Sequence, residues 1–397
     1  MNTQNTPVHI RLWHKNFWCL ALAYLFMSVA LYSFVPALPL WLIGGQGMST
    51  WQTALSLFCF GGGIWLSGGF CNFLTQRYRR NNVCVVSVIA AVIILAAHYY
   101  IVSEKMQVPL WIIAALRLAF GAVFGMAQMV LSGILVIDVC ESYNRTEANY
   151  CMSWFYRFGL SLGPIAGVIA GMFGCFQGVL LLAIVCLVVA MMLILTVSFP
   201  FRAPDDNVPV FGLDRFFLPQ GWLLSVTLLL FAAVVGMVFS VIHSIEFFSM
   251  LATGFLLSVI AQRIVFADAE LKSEVIAGML LVGTALLLQV TRSLSVVSLV
   301  MPVMMGLGIG LVSGRFLLFF IKLSRHCQRG TSQSTYNISW ETGLWTGMAV
   351  GFLIGNNEQQ YGVNDSLVCS IAFWIVVGVL LLYNFATHKW YLRNKNR

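Results

Sequence analysis

Charge is what this 397-residue chain has least of: nine per cent of its residues are Asp, Glu, Lys or Arg, against roughly 25% in a soluble domain. That scarcity, with 60% hydrophobic residues and a mean hydropathy of +0.88, excludes a water-soluble globular protein. Metal-binding patterns are missing as well. The ten cysteines are scattered, mostly in apolar runs, with no CxxC pair and no Cys/His spacing suited to zinc, so no metal is expected. The adjacent His326 and Cys327 have the wrong geometry to share a metal on a helix. There is no GxxxxGK[ST] loop, no HExxH and no nucleophile elbow, so an embedded ATPase or hydrolase has no residues to support it. The chain reads as a non-enzyme without cofactor.

What remains is a series of apolar runs of about 20 residues, the length that crosses a hydrocarbon core of about 30 Å. Twelve are read, near 16–43, 51–73, 82–102, 109–136, 147–172, 178–199, 221–243, 246–265, 275–291, 294–321, 333–355 and 367–388. The first is too long for a secretory h-region, so residues 1–15 read as a retained tail. The net charge of +8 reports topology and not a nucleic-acid partner. With the N-terminus inside, Arg77, Arg79, Arg80, Arg145, Arg329 and most other basic residues fall on one side, and only Lys105 and Arg292 on the other. The positive-inside rule then puts both termini in the cytoplasm. A proline-containing polar stretch, 201–220, divides six spans from six. Residues 1–200 and 221–397 are thus expected to form two bundles, related as a parallel repeat.

The repeat is sharpest between the fifth and eleventh spans. A shift of 184 residues (343 minus 159) lays Gly159, Gly163, Gly167 and Gly171 on Gly343, Gly347, Gly351 and Gly355. Glycines spaced by four form one stripe and let backbones approach closely, so both spans are expected to pack tightly at symmetry-related places. The same shift lays Arg157 on Glu341. Each is twelve residues past a basic span start, Arg145 or Arg329, which at 1.5 Å per residue is about 18 Å deep, near the midplane.

A charged group there costs at least about 2.5–3.5 kcal/mol on insertion scales, which makes these few side chains the functional candidates. Glu341 is read as the only acid well inside a span, with Asp138 and Glu246 near span ends. It is either a structural carboxyl that fixes packing or a proton carrier. A carboxyl whose arginine partner or water access changes between two conformations binds and releases a proton as the protein switches. Arg157 is either half of a structural pair or the anchor of an anionic substrate. Arg117, Gly121, Gly125 and Gln128 share a stripe in span four, where the glycines leave either room for water or substrate, or a packing groove. Arg315, nearer a span end, reads as snorkelling. Tyr24, Ser28 and Tyr32 form a polar-aromatic stripe in span one that lines a cavity or packs the core. His98 and His243 read as interfacial.

Across essentially its whole length the chain resembles the major facilitator superfamily, and bacterial drug and metabolite exporters within it. Arg117-Leu-Ala-Phe-Gly121-Ala-Val-Phe-Gly125 is similar to the family's R-x-x-x-G-x-x-x-G motif, whose arginine is associated with proton coupling. Gly159-Leu-Ser-Leu-Gly163-Pro164-Ile-Ala-Gly167 resembles the G-x-x-x-G-P-x-x-G core associated with antiporters, with Val168 in place of its final glycine. Between spans two and three, Gln76-Arg77-Tyr78-Arg79-Arg80 resembles the family's basic loop, with Gln76 where the family has aspartate. The resemblance implies an all-α membrane protein of twelve transmembrane helices in two pseudo-symmetric six-helix bundles that rock about a central site. Spans one, four, seven and ten would line the cavity, and spans two, five, eight and eleven would join the halves.

The expected function is proton-coupled secondary transport by alternating access in the inner or plasma membrane, exporting a small amphipathic or drug-like compound by antiport. Glu341 would carry the proton, Arg117 would tune it, and Tyr24, Ser28, Tyr32, Gln128 and Arg157 would line the cavity. The alternatives are a proton-coupled symporter for a metabolite or peptide, and an uncoupled lipid flippase or sensor. The expected partners are lipid, protons and a small molecule, with the protein a monomer.

Overall fold

Inside a bilayer a backbone satisfies its hydrogen bonds only as helices or a closed barrel, and the long apolar runs of this chain all become helices. The computed structural model describes residues 11–200, 207–291, 295–325, 328–355 and 365–395. Expectations placed on Arg292, on His326 and Cys327, and on residues 1–10 and 201–206 lie outside the described residues.

Span one comprises Lys15–Tyr32 and Phe34–Gly44, joined at Ser33. Span two comprises Thr50–Gly68, opened by a capping box between Ser49 and Gln52, and Cys71–Arg77, with a bend of 48° between them. Span three is Arg80–Ser103. Span four runs through Leu110–Val130, a π-helical turn at Leu131–Leu135 and Val136–Val139. Spans five and six are the two arms of Arg145–Leu195, which turns back at Gly174 and Cys175, where Cys175 takes φ 51°. The arms pack closely: a Cβ on Gly178 would lie 2.3 Å from the Ala170 carbonyl oxygen.

Spans seven to ten are Trp222–Val241, Ile245–Ile264, Leu271–Thr291 and Ser295–Leu323. Span eleven is Arg329–Gly355, and span twelve begins as Asp365–Leu382 and ends as His388–Asn394. Nine helices are long and apolar enough to cross a membrane, or ten with the bent pair of span two. Counting both arms of Arg145–Leu195 gives eleven, and span eleven, polar over its first part, gives twelve among the described residues. Trp13, Trp51, Trp111 and Trp222 lie exposed near span ends, where indoles favour the membrane interface.

The glycine repeat has one physical cause at two places. In span five, a Cβ on Gly159 would meet Ser28 Oγ at 1.8 Å and one on Gly167 would meet the Ser33 carbonyl oxygen at 2.3 Å. In span eleven, a Cβ on Gly343 would meet the Leu229 carbonyl oxygen at 2.3 Å and one on Gly347 that of Ala233 at 1.9 Å. Span five therefore packs on span one as span eleven packs on span seven. Gly163 and Pro164 complete the span-five seam, both buried, with Gly163 against Tyr32.

Of the two readings of the span-four glycines, the structure keeps the second. Gly121 and Gly125 leave no room beside Arg117, because span two fills it: a Cβ on Gly121 would lie 2.1 Å from the Phe60 carbonyl oxygen, and one on Gly125 would press on Ile64. These glycines are a packing groove.

The halves touch at the centre and on the side of the chain termini. On that side span four's π-helical turn touches the start of span eleven, since a Cβ on Gly330 would lie 2.3 Å from the Gly133 carbonyl oxygen. Asn337 donates to Ser132 Oγ across the same seam at 2.9 Å. The described part of the linker lies over this side. Gly212 N–H donates to the Gly69 carbonyl (3.0 Å), Arg215 N–H to Thr331 Oγ1 (3.0 Å) and Leu218 N–H to Thr335 Oγ1 (2.8 Å). One strap thus touches span two and span eleven.

Candidate functional site

Span eleven is the source of the site. From Thr331 to Ser339 every residue but Ile338 is polar or aromatic-polar, and all are at most 5% exposed. A helix so polar is buried only if neighbouring helices answer its groups. Glu341 lies at its middle, wholly buried. Its Oε1 accepts from Tyr32 Oη (2.6 Å) and Tyr156 Oη (2.7 Å), and its Oε2 from Trp345 Nε1 (3.2 Å). Three neutral donors from spans one, five and eleven hold this carboxyl, and Gln128 of span four lies beside it.

Arg117 is 3% exposed and faces rings in place of a carboxylate. Its guanidinium carbon stands 5.2 Å from the Phe60 ring centroid, 6.0 Å from Phe120 and 4.9 Å from Trp345, the range of cation–π attraction. One indole therefore offers its face to Arg117 and its N–H to Glu341.

Arg157 shares the depth of Glu341 without pairing with it. It donates through Nη2 to Ser153 Oγ at 2.7 Å, one turn back on its own helix, and covers the Trp154 ring at 4.4 Å. Its Nε and Nη1 are buried without a hydrogen-bond partner. A small cavity opens beside it, lined by Tyr32, Ser153, Tyr156, Arg157, Leu160, Tyr336, Asn337 and Trp340, with room for about one water molecule. The 184-residue shift pairs Ser153 with Asn337 and Tyr156 with Trp340, so the cavity sits on the pseudo-two-fold axis of the repeat.

The remaining expected residues distribute unevenly. Tyr24 stacks on Tyr156 at 4.6 Å, and its buried hydroxyl lies beside the side chains of Ser132 and Gln128. Tyr24, Tyr32 and Gln128 thus surround the centre. Ser28 does not: its hydroxyl donates to the Leu25 carbonyl at 2.7 Å and packs against Gly159. In the basic loop Arg77 is exposed, while Arg80 pairs with Asp138 at 2.6 Å, tying the loop to span four within the same half. In the loop after span seven, burial pushes the His243 imidazole below its ordinary value, which leaves it neutral at pH 7.

One acid was overlooked and one expectation is corrected here. Glu341 is the acid well inside a span, but Glu274, at the start of span nine, is also wholly buried. Arg315 does not snorkel: it forms a salt bridge with Glu274. Gln262 donates to Glu274 Oε1 at 2.7 Å and accepts from Tyr150 of span five, so this network joins the halves through spans five, eight, nine and ten. Sequence reasoning also missed Tyr156, Tyr336, Trp340 and Trp345. Only Trp345 left a signal, its spacing of four from Glu341.

No protein-family model matches the chain, and no curated protein does. Solved structures do match. A mutant of the nucleoside transporter NupG aligns over 93% of this chain and 99% of its own, with TM-score 0.67 and 12% identity. A bacterial homologue of the iron transporter ferroportin, in its outward-facing state, aligns over 96% of this chain and 100% of its own, with TM-score 0.62 and 15% identity. Identities this low establish architecture alone: the chain has the major facilitator fold, twelve transmembrane helices in two pseudo-symmetric six-helix bundles.

Proposed function

We propose that this protein is a proton-coupled secondary transporter of a small molecule, working by alternating access, with Glu341 as the proton carrier. One observation carries the reading. A carboxyl at half depth, wholly buried, joins the two halves through hydrogen bonds from Tyr32 and Tyr156 and has no cation on either oxygen. Charge-assisted hydrogen bonds are roughly twice as strong as neutral ones. An ionised Glu341 therefore holds spans one and five to span eleven, and a protonated one holds them less. Proton occupancy biases the separation of the halves, which is what coupling requires. Arg117 acts on the same carboxyl through Trp345.

The reading places the chain in the inner or plasma membrane as a monomer, with both termini in the cytoplasm. Antiport, exporting an amphipathic compound, and symport, taking one up, use the same carboxyl and differ in whether proton and substrate are bound in turn or together. The halves are taken as 1–200 and 221–397, joined by 201–220. Purified protein in liposomes, with and without a pH gradient, tests the proposal. Glu341→Gln is expected to abolish gradient-driven transport while counterflow at equal pH persists; gradient-driven transport by that variant at the wild-type rate would refute proton carriage by Glu341.

A further inference from the structure

Among the described residues, two arginines and two carboxylates are buried, Arg117 and Arg157 against Glu274 and Glu341, and the half-buried Arg315 reaches in to Glu274. Arg315 and Glu274 neutralise one another. Arg117 is shielded by three aromatic faces. Arg157 is left with the Ser153 hydroxyl, the Tyr336 hydroxyl beside it and one indole face, at 3% exposure, with Nε and Nη1 unpartnered and Glu274 the nearest counter-charge. Neither carboxylate is available to it: Glu341 is taken by Tyr32, Tyr156 and Trp345, and Glu274 by Arg315 and Gln262. A buried charge without a counter-charge in contact is costly, and this one lines the cavity on the pseudo-two-fold axis.

We propose that this cavity binds an organic anion, its carboxylate or sulfonate group on the Arg157 guanidinium and its apolar or aromatic body against Tyr32, Tyr156, Tyr336 and Trp340. A neutral amphiphile would leave the charge unanswered, and a cation would add to it. The guanidinium also suits the ligand, since its planar donors match oxyanion geometry better than an ammonium does. The proposal rests on the transporter reading for access, because a cavity with room for about one water admits such a ligand only when the halves part.

The test uses the full chain in lipid nanodiscs and matched probes: benzoate against benzamide, p-toluenesulfonate against p-toluenesulfonamide, and benzylamine. Binding is read as the shift in thermal unfolding temperature, which follows from ligand affinity for the folded state. Both anions are expected to stabilise the protein, and the amides and the amine are not. Arg157→Gln should weaken anion binding by about tenfold or more, the range for a lost hydrogen bond to a charged group, and Arg157→Lys should retain part of it. The inference is overturned if neither anion stabilises the wild-type protein, if an amide or benzylamine stabilises it as much, or if the anion shift survives in Arg157→Gln. The wild-type comparison needs no variant, so a misfolded Arg157→Gln leaves the test intact. Counterflow of p-toluenesulfonate into liposomes is read separately: binding without counterflow supports the anion site and refutes transport, and counterflow of benzylamine without anion binding does the reverse.

Discussion

Trp345 touches both charged groups on which the coupling account depends, and it does so with different parts of one ring: the face for Arg117 and the N–H for Glu341. Trp345→Phe should remove the donor and keep an aromatic face. We expect folding to survive and the pH profile of transport to shift; an unchanged profile would show that the indole only packs. The buried Glu274–Arg315 pair makes an opposite kind of demand. Arg315→Met leaves a carboxylate unanswered and should cost about 3–5 kcal/mol in stability, while Arg315→Met with Glu274→Met should recover much of it. Thermal unfolding of the two variants decides whether the arginine is a paired group or a snorkelling one. Glu341 and Arg157 were legible in sequence because a charge in an apolar run is expensive. Glu274 was not, because it lies where the hydropathy of span nine begins, and an acid there looks like an ordinary helix start.

At the scale of elements, span eleven was readable as a run over 333–355 and as a repeat of span five's glycines, and that repeat reflects the packing of each span on its partner. What the run did not show is that its first part, Thr331 to Ser339, is polar and buried among neighbouring helices. Gly159→Ala and Gly347→Ala should each cost about 1–3 kcal/mol by overpacking, because the new Cβ would lie 2.5 Å from Ser28 Cβ in the first and 1.9 Å from the Ala233 carbonyl oxygen in the second; equal stability of either variant would contradict the seam. The stripe in span four was legible as a pattern but not in its consequence, since only the position of Phe60 tells a groove from a pore. The linker was readable as a break, but not as a strap. Thr331→Val with Thr335→Val removes the acceptors of Arg215 and Leu218 backbone N–H. Hydrogen exchange across 207–218 should then quicken, with span seven unchanged; unchanged exchange in the strap would mean that other contacts hold it.

At the scale of the whole molecule, the account joins two bundles, the carboxyl proposed to carry the proton, and Arg157, the arginine that lines the cavity. The charged and titratable groups around the cavity are Tyr32, Tyr156, Arg157, Tyr336 and Glu341, with Arg117 beyond Trp345 and Glu274 beyond span ten's Gly314. Protonating Glu341 removes a negative charge from this set. Anion affinity should therefore rise as pH falls through the titration of Glu341, and Glu341→Gln should make it independent of pH over that range. Proton and anion would then bind together, the sign that symport needs and antiport does not. Fold class was readable from composition and run length; which faces meet at the centre was not, because one sequence does not record which of its helices are neighbours.

The central claim is that Glu341 gains and loses a proton while buried between the halves, and infrared difference spectroscopy of the protein in lipid, titrated in pH, reads it directly. The account predicts a protonated-carboxyl C=O band that fades as pH rises, is absent from Glu341→Gln and is retained in Glu274→Gln. A band that persists in Glu341→Gln, or one that Glu274→Gln removes, would contradict it.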